Sequence, residues 1–254
     1  MNTFKNLIPL IYVLLFIPAK AQTYLIYYDQ ITSFSGQSDT VSGSLLIDSG
    51  KGVSLYQFGK VDGATTTSKN IDEDGNMTVR AVKKVDTLGS YVRTDLSSGH
   101  QELREKALGK YFMVHDTTTI NWSSLSDTII DGRSLKRAVC KFRGRDYIVN
   151  YIPFKGISAG PWKFKGLPGL IVEAEDSTHE VRFKLKNIDS AQNHKFIEPF
   201  VIQNLLFFQT YESFRQHRNS LREQDVASLN NPTGSSRIMK ITYSQVKVSY
   251  LEKD

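Results

Sequence analysis

The sequence predicts a mainly β protein: a single domain made of an antiparallel curved sheet or half-open barrel, with one helix near the C-terminus. Three observations carry that expectation. Apolar and polar residues alternate with a period of two over long runs, as from Arg137 to Arg143 and from Val181 to Lys186. Gly-containing corners recur between such runs, at Asp48 to Gly52, Asp74-Gly75 and Asp131-Gly132. Only one long stretch, from Thr210 to about Ala227, changes to helical spacing.

Taken in order, the chain first predicts a secretory signal over residues 1 to 21. Lys5 supplies a positive start, Leu7 to Ile17 an apolar core, and Ala19-Lys20-Ala21 a small-x-small cleavage site. The apolar run is too short for a membrane span, and Gln22 after the site argues against a lipid anchor. The chain is therefore expected to be exported, to the periplasm or beyond, with residues 22 to 254 as one β domain. Hydrophobic residues make up 40% of the chain, enough to form a core, which excludes wholesale disorder. Cys140 is the single cysteine, so no internal disulfide can form.

Tyr24 to Tyr28, Val41 to Ile47 and Val53 to Phe58 read as strands, the last two joined by the Asp48 to Gly52 loop. Gly63 to Thr67 reads as a surface loop. Asp72 to Asn76 reads as a turn before a strand at Met77 to Val82. Its alternating acids resemble a calcium loop, but Met77 and Lys83 stand where such a loop needs glycine and a carboxylate. Ser98 to Leu108 is predicted as a short helix, capped by Ser98, with Glu102 and Lys106 at i, i+4. Tyr111 to Val114 and Thr118 to Trp122 read as extended. Ala138, Cys140 and Phe142 then share one face of a strand, and Arg137, Val139, Lys141 and Arg143 the other. A turn at Gly144-Arg145-Asp146 leads to a partner strand at Tyr147 to Ile152. In the C-terminal helix, Tyr211, Phe214 and Leu221 trace one face, and Arg215, Arg218 and Arg222 another. Met239 to Tyr250 alternates again, with a parity change near Ser244-Gln245 that suggests a bulge.

The most distinctive stretch is Gly160-Pro161-Trp162-Lys163-Phe164-Lys165-Gly166-Leu167-Pro168-Gly169-Leu170-Ile171-Val172. Leu167-Pro168-Gly169-Leu170 reads as a type II turn, with Gly169 at φ > 0, leading into a buried strand at Leu170 to Ala174. The hexapeptide Gly166 to Ile171 resembles the signature of the GLPGLI family of exported Gram-negative proteins. Weaker matches extend upstream, through Asp116, Trp122, Ala138, Cys140, Gly144, Arg145, Tyr147, Ile152-Pro153 and Gly160-Pro161. Val149-Asn150-Tyr151 departs from the Ala-Trp common in that family. The resemblance implies a curved β sheet and a place in the cell envelope, and implies no activity.

For chemistry, Gly156-Ile157-Ser158-Ala159-Gly160 matches the spacing of a serine nucleophile elbow, with His179 or His194 and Asp176 or Asp189 available as partners. An elbow needs a helix directly after it, and Gly160-Pro161 denies one. The five histidines show no metal-ligand spacing, and Cys140 reads as a buried structural thiol. No catalytic residue, metal or cofactor is therefore expected. Between Asp131 and Lys165, nine Lys and Arg stand against two Asp. With Arg182 and Lys184 from the later alternating strand, this local surplus predicts a basic face of Arg137, Lys141, Arg143, Arg145, Arg182 and Lys184, which is either a solvated sheet face that guards against edge pairing or a surface that binds an anionic partner. The expectation is thus a non-catalytic envelope protein that binds another envelope protein or a peptide. The alternatives are a carrier of an apolar or lipid ligand and, as a minority view, an esterase acting through Ser158. Nucleic acid is not expected as a partner of an exported chain.

Overall fold

The structure, a computed structural model, describes residues 22–34, 36–71, 77–86, 88–130, 132–190, 205–230 and 251–252. The expected signal, the Asp72 to Asn76 turn, His194 and the Met239 to Tyr250 alternation lie outside the described residues. In chain order the strands are β1 (Thr23–Phe34), β2 (Gln37–Asp48), β3 (Val53–Phe58), β4 (Val61–Ile71), β5 (Met77–Asp86), β6 (Ser90–Asp95) and β7 (Gln101–Ala107). They continue with β8 (Lys110–Asp116), β9 (Trp122–Ile130), β10 (Arg133–Phe142), β11 (Arg145–Ile152), β12 (Leu170–Asp176), β13 (Val181–Ser190) and β14 (Leu206–Phe208), and helix α1 (Tyr211–Asn230) follows.

Twelve strands form one sheet in the order β14-β8-β7-β6-β3-β2-β1-β13-β12-β11-β10-β9, and β4 with β5 forms a separate hairpin. The long strand β1 is the hinge of this arrangement, because it pairs with β2 on one side and β13 on the other. Two meanders spread outward from it, one through β2 to β8 and one through β12 to β9. Every pairing is antiparallel except the short parallel contact of β14 with β8. The two outermost strands do not pair with each other, so the barrel stays open. Curvature nonetheless brings the flanks together. Arg143, between β10 and β11, pairs with Asp116 at the end of β8, although these strands belong to opposite halves of the sheet.

Period-two burial explains the core. Tyr24, Ile26 and Tyr28 of β1 point inward with Leu45 and Ile47 of β2, Leu103 of β7, Val114 of β8, and Ala138, Cys140 and Phe142 of β10. Burial raises the Cys140 thiol pKa to about 12, with the nearby Asp146 charge adding to it, which makes this cysteine structural.

Four local expectations are corrected. Residues 101–107 form strand β7, not a helix, because β6 and β8 flank it on both sides; Glu102 pairs across strands with Arg93 at 3.6 Å instead of along a helix with Lys106. Gly63 to Thr67 lies within β4. Residues 117–121 form a loop held by the Thr118 N–H donating to the Asp116 carboxylate. The hairpin after β10 turns at Arg143-Gly144 alone. Both residues have positive φ, at 49° and 71°, the pattern of a type I′ turn, and Arg145 already belongs to β11.

Helix α1 starts as predicted, with the Thr210 hydroxyl accepting from the Ser213 N–H. Tyr211 and Phe214 are buried. Arg218, expected on the opposite face, is buried with them. It lies over the Phe214 ring and donates to the Tyr211 hydroxyl, so its stem packs while its charge is solvated by aromatic and hydroxyl groups.

Candidate functional site

The signature stretch folds into the concave side of the sheet. A parallel bridge between Ala159 and Leu170 ties its two ends together. The Ala159 N–H donates to the Gly169 carbonyl, and the Ile171 N–H to the Ala159 carbonyl. Between these ties, Trp162 takes φ 53° and is buried with Phe164. Trp162 stacks on Phe183 of β13, and Phe164 meets Tyr147 of β11 edge-on. The loop therefore plugs the sheet with the chain's own aromatic rings.

The expected type II turn does not occur. The Gly169 N–H donates to the Leu167 carbonyl across Pro168, a three-residue turn that suits the fixed φ of proline. The left-handed residue is Gly166, at φ 91°. Gly169 is required for closeness: a Cβ there would overlap the Ile152 carbonyl oxygen and lie 2.8 Å from its carbon. Gly160 is similarly tight, since its Cβ would come 2.7 Å from Ile171. Leu167, Leu170 and Ile171 are buried. Trp122 fastens the loop by donating its indole N–H to the Lys165 carbonyl at 3.0 Å. Trp122→Phe keeps an aromatic ring but loses that bond and part of the indole's packing, so urea denaturation is expected to show a loss of at least about 1 kcal/mol.

Between the two rings, Lys163 is fully buried. Its ammonium lies 2.8 Å from Glu105 of β7 and 2.5 Å from Glu252, and 4.1 Å from the Tyr211 ring centroid. Burial works against the charge, yet the two carboxylates hold the lysine pKa above its ordinary value. Arg143 donates to Asp116 and Thr118 and stacks 3.7 Å from the Tyr211 ring centroid. Arg145 donates to Asp176 at 2.6 Å, to Glu180 at 2.7 Å and, through Nε, to the Leu251 carbonyl at 3.0 Å.

Burial pushes the Asp176 carboxyl up, but bonds from the Thr178 hydroxyl, the Val181 N–H and Arg145 outweigh it, so its pKa falls below the usual carboxylate value. A depressed folded-state pKa gives stability that is complete above the unfolded value of about 4 and is lost as pH falls through the folded value. The melting temperature should therefore fall on acidification below about pH 4. Asp176→Asn should start lower and fall less steeply.

Beside Lys163 a cavity of about 320 Å³ opens between β6, β7, β8, the plug and α1. Phe58, Tyr111, Trp162 and Phe214 supply its apolar wall, and Glu105, Lys106, Arg218 and Glu252 its charges. Ser158 lines a separate cleft of about 250 Å³ with Asp95, Thr119 and Lys165. Its hydroxyl accepts from the Gly166 N–H, and among the described residues no histidine lines that cleft. His179 is exposed at a distant turn and pairs with Glu175. Among the described residues no group of three or more His, Cys, Asp or Glu could hold a metal, and no helix is long and apolar enough to cross a membrane.

The six basic residues expected to share one face are divided. Arg143 and Arg145 turn inward into ion pairs. On the outside, Arg182 pairs with Glu173 at 2.6 Å, Arg137 donates to Asn150, and Lys184 stands opposite Glu173 and Asp29. Lys141 is exposed and faces Asp146 across the ladder. The outer surface here is mixed in sign. Glu105 and Glu252 were not singled out from sequence, Tyr211 was read only as part of the helix's apolar face, and Lys163 only as one of the basic residues, because alternation through Trp162-Lys163-Phe164 would send the lysine to solvent. Only the left-handed Trp162 backbone breaks that alternation.

No protein-family profile and no curated protein matches the chain. Among solved structures, the fold is similar to part of PNGF-II, with a TM-score of 0.50 and 12% identity over 80% of this chain. The chain spans 34% of the length of PNGF-II, and the likeness is one of fold. A domain assigned to outer membrane lipoprotein sorting in Vibrio parahaemolyticus aligns over 69% of this chain and 88% of its own, at 8% identity and a TM-score of 0.31, too low to bear on function.

Proposed function

We propose that this chain is an exported, non-catalytic binding protein of the cell envelope that takes its ligand in the interior cleft beside Lys163. The observation that supports this reading is the cleft itself. It has an aromatic wall and two lining carboxylates, Glu105 and Glu252, held by the buried Lys163 behind them, and its volume is within the range of ligand pockets. The family resemblance of the Gly166 to Ile171 hexapeptide fits an envelope setting. A carrier of a bulky lipid fits less well, since Trp162 and Phe164 already fill the concavity that would enclose it. The outer basic face fits less well too, because its charges are largely matched by acids.

Native mass spectrometry of the full chain, purified from envelopes without delipidation, tests this. A population with a retained mass is expected, and Ser90→Phe, which fills the cleft from β6, should lose that mass while keeping a cooperative melt. The reading would be overturned by equal retention in both proteins, or by bare chain in both.

A further inference from the structure

Two consecutive residues of this chain, Leu251 and Glu252, form part of the wall of the cleft. Leu251 offers its carbonyl to Arg145 Nε at 3.0 Å and to the Tyr147 hydroxyl at 3.4 Å. One residue on, Glu252 places its carboxylate 2.5 Å from Lys163 Nζ. The Leu251 side chain packs against the aromatic core. Three receptor groups from β11 and the plug thus grip a main-chain acceptor, an apolar side chain and an acidic side chain in consecutive positions. These are features of a peptide, and a simple fatty acid offers no main-chain carbonyl in the place the Leu251 carbonyl takes beside Arg145 Nε and the Tyr147 hydroxyl.

Charge points the same way. Without Glu252, the charged residues among the described lining would be Lys106 and Arg218 against Glu105, which the buried Lys163 already pairs from behind, a cationic balance that favours an acid. The space of about 320 Å³ left open next to Leu251 and Glu252 gives room for residues flanking such a pair in a longer segment.

Resting on the cleft being the binding site, we infer that its ligand is an acidic peptide segment of a partner protein, with an apolar residue followed by Glu or Asp. Leu251-Glu252 is then a resident competitor. A competitor that holds the site most of the time lowers apparent affinity in proportion to the free fraction, so weakening it strengthens external binding.

The test is fluorescence anisotropy with a fluorescein-labelled Ser-Tyr-Leu-Glu-Lys amide. Full-length wild-type chain should bind it weakly. The Glu252→Gln chain should bind about a hundredfold tighter, as expected when the site is about 99% occupied by its own segment. Leu251→Ala, which leaves the Lys163 to Glu252 pair intact, should shift affinity in the same direction. Replacing the peptide's glutamate by glutamine should abolish the gain. Equal binding of the two peptides, or no tightening in either variant, would overturn the inference. So would dimerisation of wild-type chain reversed by Glu252→Gln, which would make the occupant a second copy. A retained mass that Ser90→Phe removes, with no peptide binding, would overturn this ligand class while leaving the cleft as the site.

Discussion

Gly169→Val is expected to abolish the cooperative fold. At this position the backbone passes against the Ile152 carbonyl of the neighbouring strand, with the Tyr151 ring 3.0 Å from where a Cβ would sit. Any side chain must push β11 and β12 apart where their register already shifts, between Asn150 and Tyr151. The same movement breaks the Ala159 bridge that closes the plug. Overpacking compounded by lost backbone bonds places the cost above about 4 kcal/mol, beyond ordinary core substitutions. Gly169→Asn distinguishes this cause from a left-handed turn. Asparagine tolerates positive φ, so a turn would accept it, whereas a close approach should reject it as firmly as valine. Thermal melts followed by circular dichroism read both variants, and a melt at the parent temperature for Asn would disprove the close-approach account.

Lys163→Met should cost about 3 to 5 kcal/mol, because it leaves acidic partners in the interior without their cation. Glu252 is buried, while Glu105 is partly exposed and can be rehydrated. The larger part of the loss should therefore trace to Glu252. Adding Glu252→Gln to Lys163→Met should recover at least about half of it, since removing a whole buried pair costs far less than removing one member. Urea denaturation of the single and double variants measures this. Equal stability of the two would mean that Glu252 does not depend on Lys163.

Much of the fold was legible because burial follows the pleat. The strand from Val53 to Phe58 and the capped start of the helix after Thr210 were readable to the residue, although the helix runs three residues past Ala227, and the alternation around Cys140 gave its inward face correctly. Where tertiary pairing overrides local propensity, the sequence misleads. Glu102 and Lys106 have helical spacing, yet two neighbouring strands claim the segment between them. The site was less legible than the fold. Its two inward arginines sit at a hairpin whose turn is one residue shorter than expected, which reverses the direction of Arg143 and Arg145. Lys163 depends on a left-handed tryptophan, and its partners come from β7 and from Glu252, far away in sequence. The hexapeptide was legible as a structural motif, but which glycine needed φ > 0 and which needed closeness was decided by neighbours distant in the chain.

Site-specific photo-crosslinking in intact envelopes tests the central claim most directly, that binding occurs in the cleft behind the plug. One cross-linker replaces Lys106, exposed at the cleft, and another replaces Lys141, exposed on the outer face. The account predicts a discrete cross-linked product from position 106, competed by the acidic peptide in the Glu252→Gln background, and none from position 141. A product from position 141 with none from position 106 would contradict it and return binding to the outer face.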